Sequence, residues 1–176
     1  MRSERLIIQF GGLGVGSHLF EYQVKNKFFE QFEYSEIKKS DVHLTIDFLK
    51  QNSVITLNFS IKGTVGIECD RCAGDFDLPV QIHETMYLKH GDVSESNDSL
   101  IVLPFGESEV DLTKYVYEFI TISLPIRRVP CEIDKELYKC DEETLKKLNN
   151  FSVEDEPNSS QESIWEELKK VKFKNN

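Results

Sequence analysis

VHLTIDFLKQNSVITLNFSIKGTVGIECDRCAGDFDLPVQIHETMYL, residues 42–88, alternates apolar and polar side chains almost without a break. Val42, Leu44, Ile46 and Phe48 share one parity and His43, Thr45 and Asp47 the other, which is the period of two of a half-buried strand. Residues 50–53, Lys-Gln-Asn-Ser, carry turn chemistry. Ile55, Leu57, Phe59, Ile61, Val65, Ile67 and Cys69 then resume the apolar parity, so two antiparallel strands joined by a tight turn are expected. Gly63 and Gly66 inside the second run predict a bulge or sharp bend, which a curling sheet needs. Beyond Cys69-x-x-Cys72 the apolar set moves to even numbers: Phe76, Leu78, Val80, Ile82, Met86 and Leu88. The two cysteines therefore sit in a turn between strands, and Pro79 marks the second strand as an edge or as irregular at its start.

Working outward, LIIQF (6–10) and HLFEYQV (18–24) read as strands on either side of a glycine loop, and NKFFEQFEYSEI (26–37) as a short helix with Phe28, Phe29 and Phe32 packed inward. After the polar loop 91–98, LIVLPF (100–105) is a further short strand. The convincing helix is VDLTKYVYEFITISLP (110–125). Asp111 is placed as its N-cap, and Val110 and Tyr115 as a hydrophobic staple. Leu112, Tyr115, Val116, Phe119 and Ile120 form one face, and Pro125 is the stop. The expected fold class is α+β: a mainly antiparallel, curled, barrel-like sheet covered by one main helix. Residues 1–150 form this single domain, and the second half of CEIDKELYKCDEETLKKLNNF (131–151) is a polar helix. Residues 151–163 read as an acidic linker. Residues 164–176 read as a tethered basic amphipathic helix, with Ile164, Trp165, Leu168 and Val171 on one stripe and Lys169, Lys170, Lys172 and Lys174 behind it, a pattern that docks on its own domain or on a partner.

Charged residues make up 30% of the 176 and the net charge is −10, the balance of an acidic soluble protein. No apolar run is long enough to span a bilayer and the first residues carry no secretory pattern, so a cytoplasmic protein with reduced thiols and no membrane contact is expected. Gly12, Gly14 and Gly16 follow a strand. Their spacing is not that of a phosphate loop, no lysine follows, and the next segment alternates like a strand, so nucleotide binding is not expected. The four histidines are scattered and no nucleophile, base and orienting group come together in the pattern; the expectation is a protein that is not an enzyme.

The cysteines are the one cluster with chemistry. A turn between strands can aim both sulfurs of Cys69 and Cys72 at one point, with Gly74 relieving the turn, and a structural zinc there would take Cys131 and Cys140 as its other two ligands. Eight residues separate the latter two, so they do not form a second knuckle, and thiols simply flanking a tight turn are the competing reading. A redox pair is the third, although redox motifs of this spacing open a helix after a strand and this one joins two strands.

The order of these features resembles the YceD family, the large ribosomal RNA subunit accumulation proteins. The residues that carry the resemblance are the CDRC turn, DLTKYVYEFITISLPIRRV, the later cysteines and the tail WEELKKVKF. It looks closest to members from Bacteroidetes-type bacteria, through FFEQFEYSEIKKSDV, LNFSIKGTV and DRCAGDFDLPV. The resemblance implies a non-enzymatic factor supporting 23S ribosomal RNA accumulation and large-subunit assembly. It carries over Cys69, Arg71 and Cys72 in the turn, Asp111, Glu118, Leu124 and Pro125 on the helix, and the tail around Trp165 and Leu168. Other members carry closely spaced cysteine pairs in the C-terminal half, which this chain lacks. The implied partners are pre-23S ribosomal RNA, a basic large-subunit ribosomal protein, or both. Candidate contact residues are Arg71, Arg127, Arg128, Trp165, Lys169, Lys170, Lys172 and Lys174, since phosphate affinity comes mainly from lysine and arginine, whereas an acidic surface suits a basic protein. A zinc- or thiol-dependent metal-handling or redox protein that uses the C-x-x-C turn is the alternative.

Overall fold

A computed structural model describes residues 4–133 and 138–151. The long alternating stretch forms three consecutive antiparallel strands: β3 (Lys39–Lys50), β4 (Ile55–Glu68) and β5 (Asp75–His90). They are flanked by β2 (Gly16–Lys25) on one side and the short β6 (Leu100–Leu103) on the other, giving the order β2-β3-β4-β5-β6. The parity read from the sequence is the parity of burial. Val42, Leu44, Ile46 and Phe48 are fully covered, as are Leu57, Ile61, Val65 and Ile67, while His43 and His83 stand on the exposed face. Pro79 lies in the part of β5 that has a partner on one side only, because β6 pairs with no more than Tyr87–His90. β6 runs parallel to β5, a direction that periodicity does not encode.

Three expectations need correction. The sheet does not close into a barrel: β2 and β6 are its outer strands and do not pair with each other. Five strands leave the apolar face open, and a helix covers it. Gly63 and Gly66 make no bulge, since β4 pairs one residue to one with both neighbours, Val42↔Gly63 and Gly63↔Val80 included. What Gly63 supplies is space. It sits at φ +156°, and a Cβ there would lie 2.2 Å from the Asp41 carbonyl oxygen and 2.6 Å from Val42 Cα.

The third correction concerns the helix start. Val110 and Asp111 belong to β7 (Glu109–Asp111), which pairs antiparallel with β1 (Ile7–Gln9) in a separate two-stranded sheet. The helix, here α2 (Thr113–Ser123), therefore begins later, with Leu112 at the N-cap position. Asp111 still serves it, because its carboxylate accepts the Thr113 N–H at 2.9 Å, and the Thr113 hydroxyl accepts the Leu6 N–H at 2.9 Å. Val116 and Ile120 are buried against the sheet, Phe119 meets Phe59 edge-on at 5.2 Å, and Tyr117 stacks on Phe32 at 3.8 Å. Phe28 and Phe29 of the short α1 (Asn26–Phe29) complete this core.

The glycine segment is a strand-to-strand connection, from β1 to β2. The Lys50 ammonium fixes it by donating to the carbonyls of Phe10 (3.0 Å) and Leu13 (2.7 Å). After α2 come a single turn, α3 (Pro130–Ile133), and α4 (Glu142–Phe151), the expected polar helix, which buries no side chain. Asp141 caps α4: its carboxylate accepts from the Thr144 N–H (2.9 Å) and hydroxyl (2.6 Å), bonds that hold its pKa below the ordinary carboxylate value, the hydroxyl bond foremost. The chain divides into two units, Met1–Cys140 and Asp141–Asn176. The linker 151–163, apart from Phe151, and the tail helix 164–176 lie outside the described residues.

Candidate functional site

The turn between β4 and β5 is closed by two backbone bonds, Cys69 N–H to the Gly74 carbonyl and Ala73 N–H to the Cys69 carbonyl, both 2.9 Å. The residue in the left-handed region is Ala73, φ +54°, rather than Gly74. This winding turns Cys69 and Cys72 inward, where both are buried beside Val129.

A second segment is fastened to this turn. Asp70 N–H donates to the Arg128 carbonyl at 2.9 Å, and the Arg128 N–H donates back to the Asp70 carboxylate at 2.6 Å. This reciprocal clasp joins residues 58 apart in sequence. It brings the stretch after α2, Ile126-Arg127-Arg128-Val129-Pro130-Cys131, alongside the C-x-x-C turn. Tyr138 anchors the returning chain: its ring meets Phe76 at 5.9 Å and its hydroxyl donates to the Asp77 carbonyl at 3.2 Å. Cys140 is thereby carried to the same place, and all four cysteines line one cavity of about 440 Å³ with Gly74, Phe76, Pro130 and Tyr138.

Cys131 and Cys140 are joined as a disulfide, with S–S 2.12 Å and Cα–Cα 5.9 Å, which differs from the expectation of four reduced thiols. The sulfurs of Cys69, Cys131 and Cys140 all lie within 4.8 Å of one another. The donor set fits zinc in its chemistry, being thiol sulfurs from a strand-turn and a second segment, and the cluster could hold a metal once the Cys131–Cys140 pair is reduced. Cys131 and Cys140 were expected as partners of the turn, but their spacing did not show what carries them there. The residues that take them there, Asp70 and Tyr138, bear no local pattern that marks them.

The same clasp gathers the arginines, and each is already matched by a carboxylate. Glu132 takes Arg127 at 2.8 Å and Arg71 at 3.7 Å, and Glu36 takes Arg128 at 2.5 Å. Arg71, Arg127 and Arg128, chosen from the sequence as separate basic residues, thus form one charge-balanced cluster with Glu36, Asp70 and Glu132. Exposed Ile122 and Ile126 adjoin it in sequence. Trp165, Lys169, Lys170, Lys172 and Lys174 lie outside the described residues.

Asp70→Ala leaves the Arg128 N–H without its acceptor, and the expected cost is about 1 kcal/mol, as for one exposed hydrogen bond. The melting temperature should fall by about 2–4 °C in a chain of this size, with faster amide exchange at Arg128. An unchanged Arg128 amide would show that the clasp contributes nothing.

The model of the family described as large ribosomal RNA subunit accumulation protein YceD matches residues 57–172, more than half of the chain. The chain belongs to the YceD family. The match begins within β4 and takes in the cysteine turn, β5, α2, the three arginines and both later cysteines, so it covers the site just described except for Glu36. The name ties the YceD family to accumulation of large-subunit ribosomal RNA, which makes it a ribosome-biogenesis family. No curated protein and no solved structure matches the chain. Among the described residues no helix is long and apolar enough to cross a membrane.

Proposed function

We propose that this protein is a non-enzymatic ribosome-biogenesis factor that supports 23S ribosomal RNA accumulation and large-subunit assembly by contact with pre-ribosomal RNA or a basic ribosomal protein. The observation that carries this reading is the family match across the site. Electrostatics favours the protein contact. The net charge is −10, and Arg71, Arg127 and Arg128 are each paired with a carboxylate, so a phosphate backbone would have to displace those partners before gaining their charge. Crosslinking in cells, followed by sequencing of bound RNA and mass spectrometry of bound proteins, should recover large-subunit ribosomal proteins. Recovery of precursor RNA alone assigns the contact to RNA, and recovery of neither above background rejects the reading.

Within this function the cysteine cluster is proposed to serve as a structural zinc clip that fixes the segment after α2 to the β4–β5 turn. Cys69, Cys72, Cys131 and Cys140 would be the ligands. Support comes from their convergence on one cavity and from the four-coordinate sites, four-cysteine ones among them, that structural zinc adopts. Protein purified under reducing conditions should carry one zinc per chain, and Cys69→Ser should lose it and unfold at lower temperature. A metal-free reduced chain with the same melting temperature as the zinc-supplemented one would reject the clip.

A further inference from the structure

Among the described residues, the edge of β5 is covered at both ends and open between them. In an antiparallel strand the backbone groups of successive residues alternate between its two sides. Tyr87 donates its N–H to the Ser99 carbonyl at 2.8 Å, and the Asp77 carbonyl accepts the Tyr138 hydroxyl. Both residues are odd-numbered, and the register with β4 runs unbroken between them, so the odd residues of β5 turn their backbone away from β4. Pro79, which has no N–H to offer, belongs to the same set. Gln81, His83 and Thr85 therefore present N–H and C=O outward, and among the described residues no strand pairs with them on that side.

Beside this open edge runs a groove of about 360 Å³ between β5 and α2, floored by Ile82, Met86, Phe119 and Ile122. Ile122 is 81% exposed, so the apolar side of the groove is open to an incoming side chain. Among the described residues the groove's charged lining consists of two carboxylates, Glu84 and Asp98, with no lysine or arginine. An edge with unpaired backbone groups, an apolar trough for alternate side chains and acidic walls has the features by which a sheet accepts an added strand.

We propose that the β5 edge from Gln81 to Thr85 is a strand-addition site for an extended, lysine- or arginine-rich segment of another protein. The proposal rests on the protein-contact form of the function given above and names the surface that would make the contact. The partner segment pairs with the N–H and C=O groups of Gln81, His83 and Thr85, sets apolar side chains against Ile82, Met86 and Ile122, and places its cations near Glu84 and Asp98.

The test is amide hydrogen exchange on the full chain, with and without a blocked octapeptide of alternating lysine and valine. The Gln81, His83 and Thr85 amides should exchange freely in the chain alone and slow by about tenfold or more at saturating peptide. An octapeptide with glutamate in place of lysine, and one with alternate backbone nitrogens methylated, should give no protection. Thr85→Pro removes one outward N–H as Pro79 already does, and should weaken peptide binding by about tenfold. Binding that survives N-methylation overturns strand addition without depending on the fold of any variant.

Four other results overturn the proposal: no protection by the lysine peptide, equal protection by the glutamate peptide, protection in the chain alone that truncation after residue 151 abolishes, and protection that rises with protein concentration alone. The last two would assign the edge to the chain's own C-terminal residues or to a second copy. Loss of the slot with the ribosomal crosslinks intact removes this inference alone. Intact peptide protection with no ribosomal crosslink removes the function and leaves the slot.

Discussion

Gly63→Val is expected to prevent the protein from folding stably at 37 °C. The added Cβ would stand 2.2 Å from the Asp41 carbonyl oxygen and 2.6 Å from Val42 Cα, both backbone atoms of the neighbouring strand, so no side-chain rotation relieves the overlap. The backbone angle of +156° at this position is also one that side chains rarely adopt. β3 and β4 would have to separate at the Val42–Gly63 pair, in the middle of the sheet. A cost of about 4 kcal/mol or more follows, in the range reserved for core disruption and backbone strain. Gly12→Ala is the control: nothing lies within 4 Å of its added Cβ, and its effect should stay within about 0.5 kcal/mol. Denaturant unfolding of the two variants checks both numbers, and comparable stabilities would show that the strand pairing at Gly63 is misassigned.

The second large effect is expected at Phe48. Its ring is wholly buried and lies 5.8 Å from Phe10 and 5.9 Å from Phe20, so it ties β3 to β2 and to the segment after β1. Phe48→Ala should cost about 3–5 kcal/mol, the sum of lost burial and of the cavity left among rings that cannot all close in. Phe105→Ala, at a site 84% exposed, should change stability by less than about 0.5 kcal/mol. Equal losses in the two variants would contradict the placement of the core.

The same alternation that marks Phe48 as buried made the sheet readable before any coordinates. From Val42 to Leu88 the period of two assigns each side chain to a face, and the observed strands extend those runs by only a few residues. The short β1 and β6 were legible as strands, but the direction of β6 was not, and the three residues of β7, too few to show a period, took Val110 and Asp111 out of the expected helix. Gly63 carried a true signal with the wrong cause, since glycine in a strand indicates either a bulge or a close approach, and only the paired register decides between them.

At the candidate site, the C-x-x-C turn and the two arginines after α2 were visible as separate motifs. Their union was not. It depends on the Asp70–Arg128 clasp and on Tyr138 reaching Asp77, contacts across 58 and 61 residues that leave no mark in local spacing. Charge counting alone also left out the carboxylates beside these arginines, because Glu36 and Glu132, which pair with them, belong to other segments.

The central claim is a role in large-subunit biogenesis, and it is tested most directly by depleting the protein from growing cells and measuring 23S against 16S ribosomal RNA, with sucrose-gradient profiles of the subunits. The account predicts that mature 23S RNA and large subunits fall relative to 16S RNA and small subunits, and that the wild-type chain restores them. An unchanged 23S-to-16S ratio and an unchanged subunit profile in fully depleted cells would contradict it.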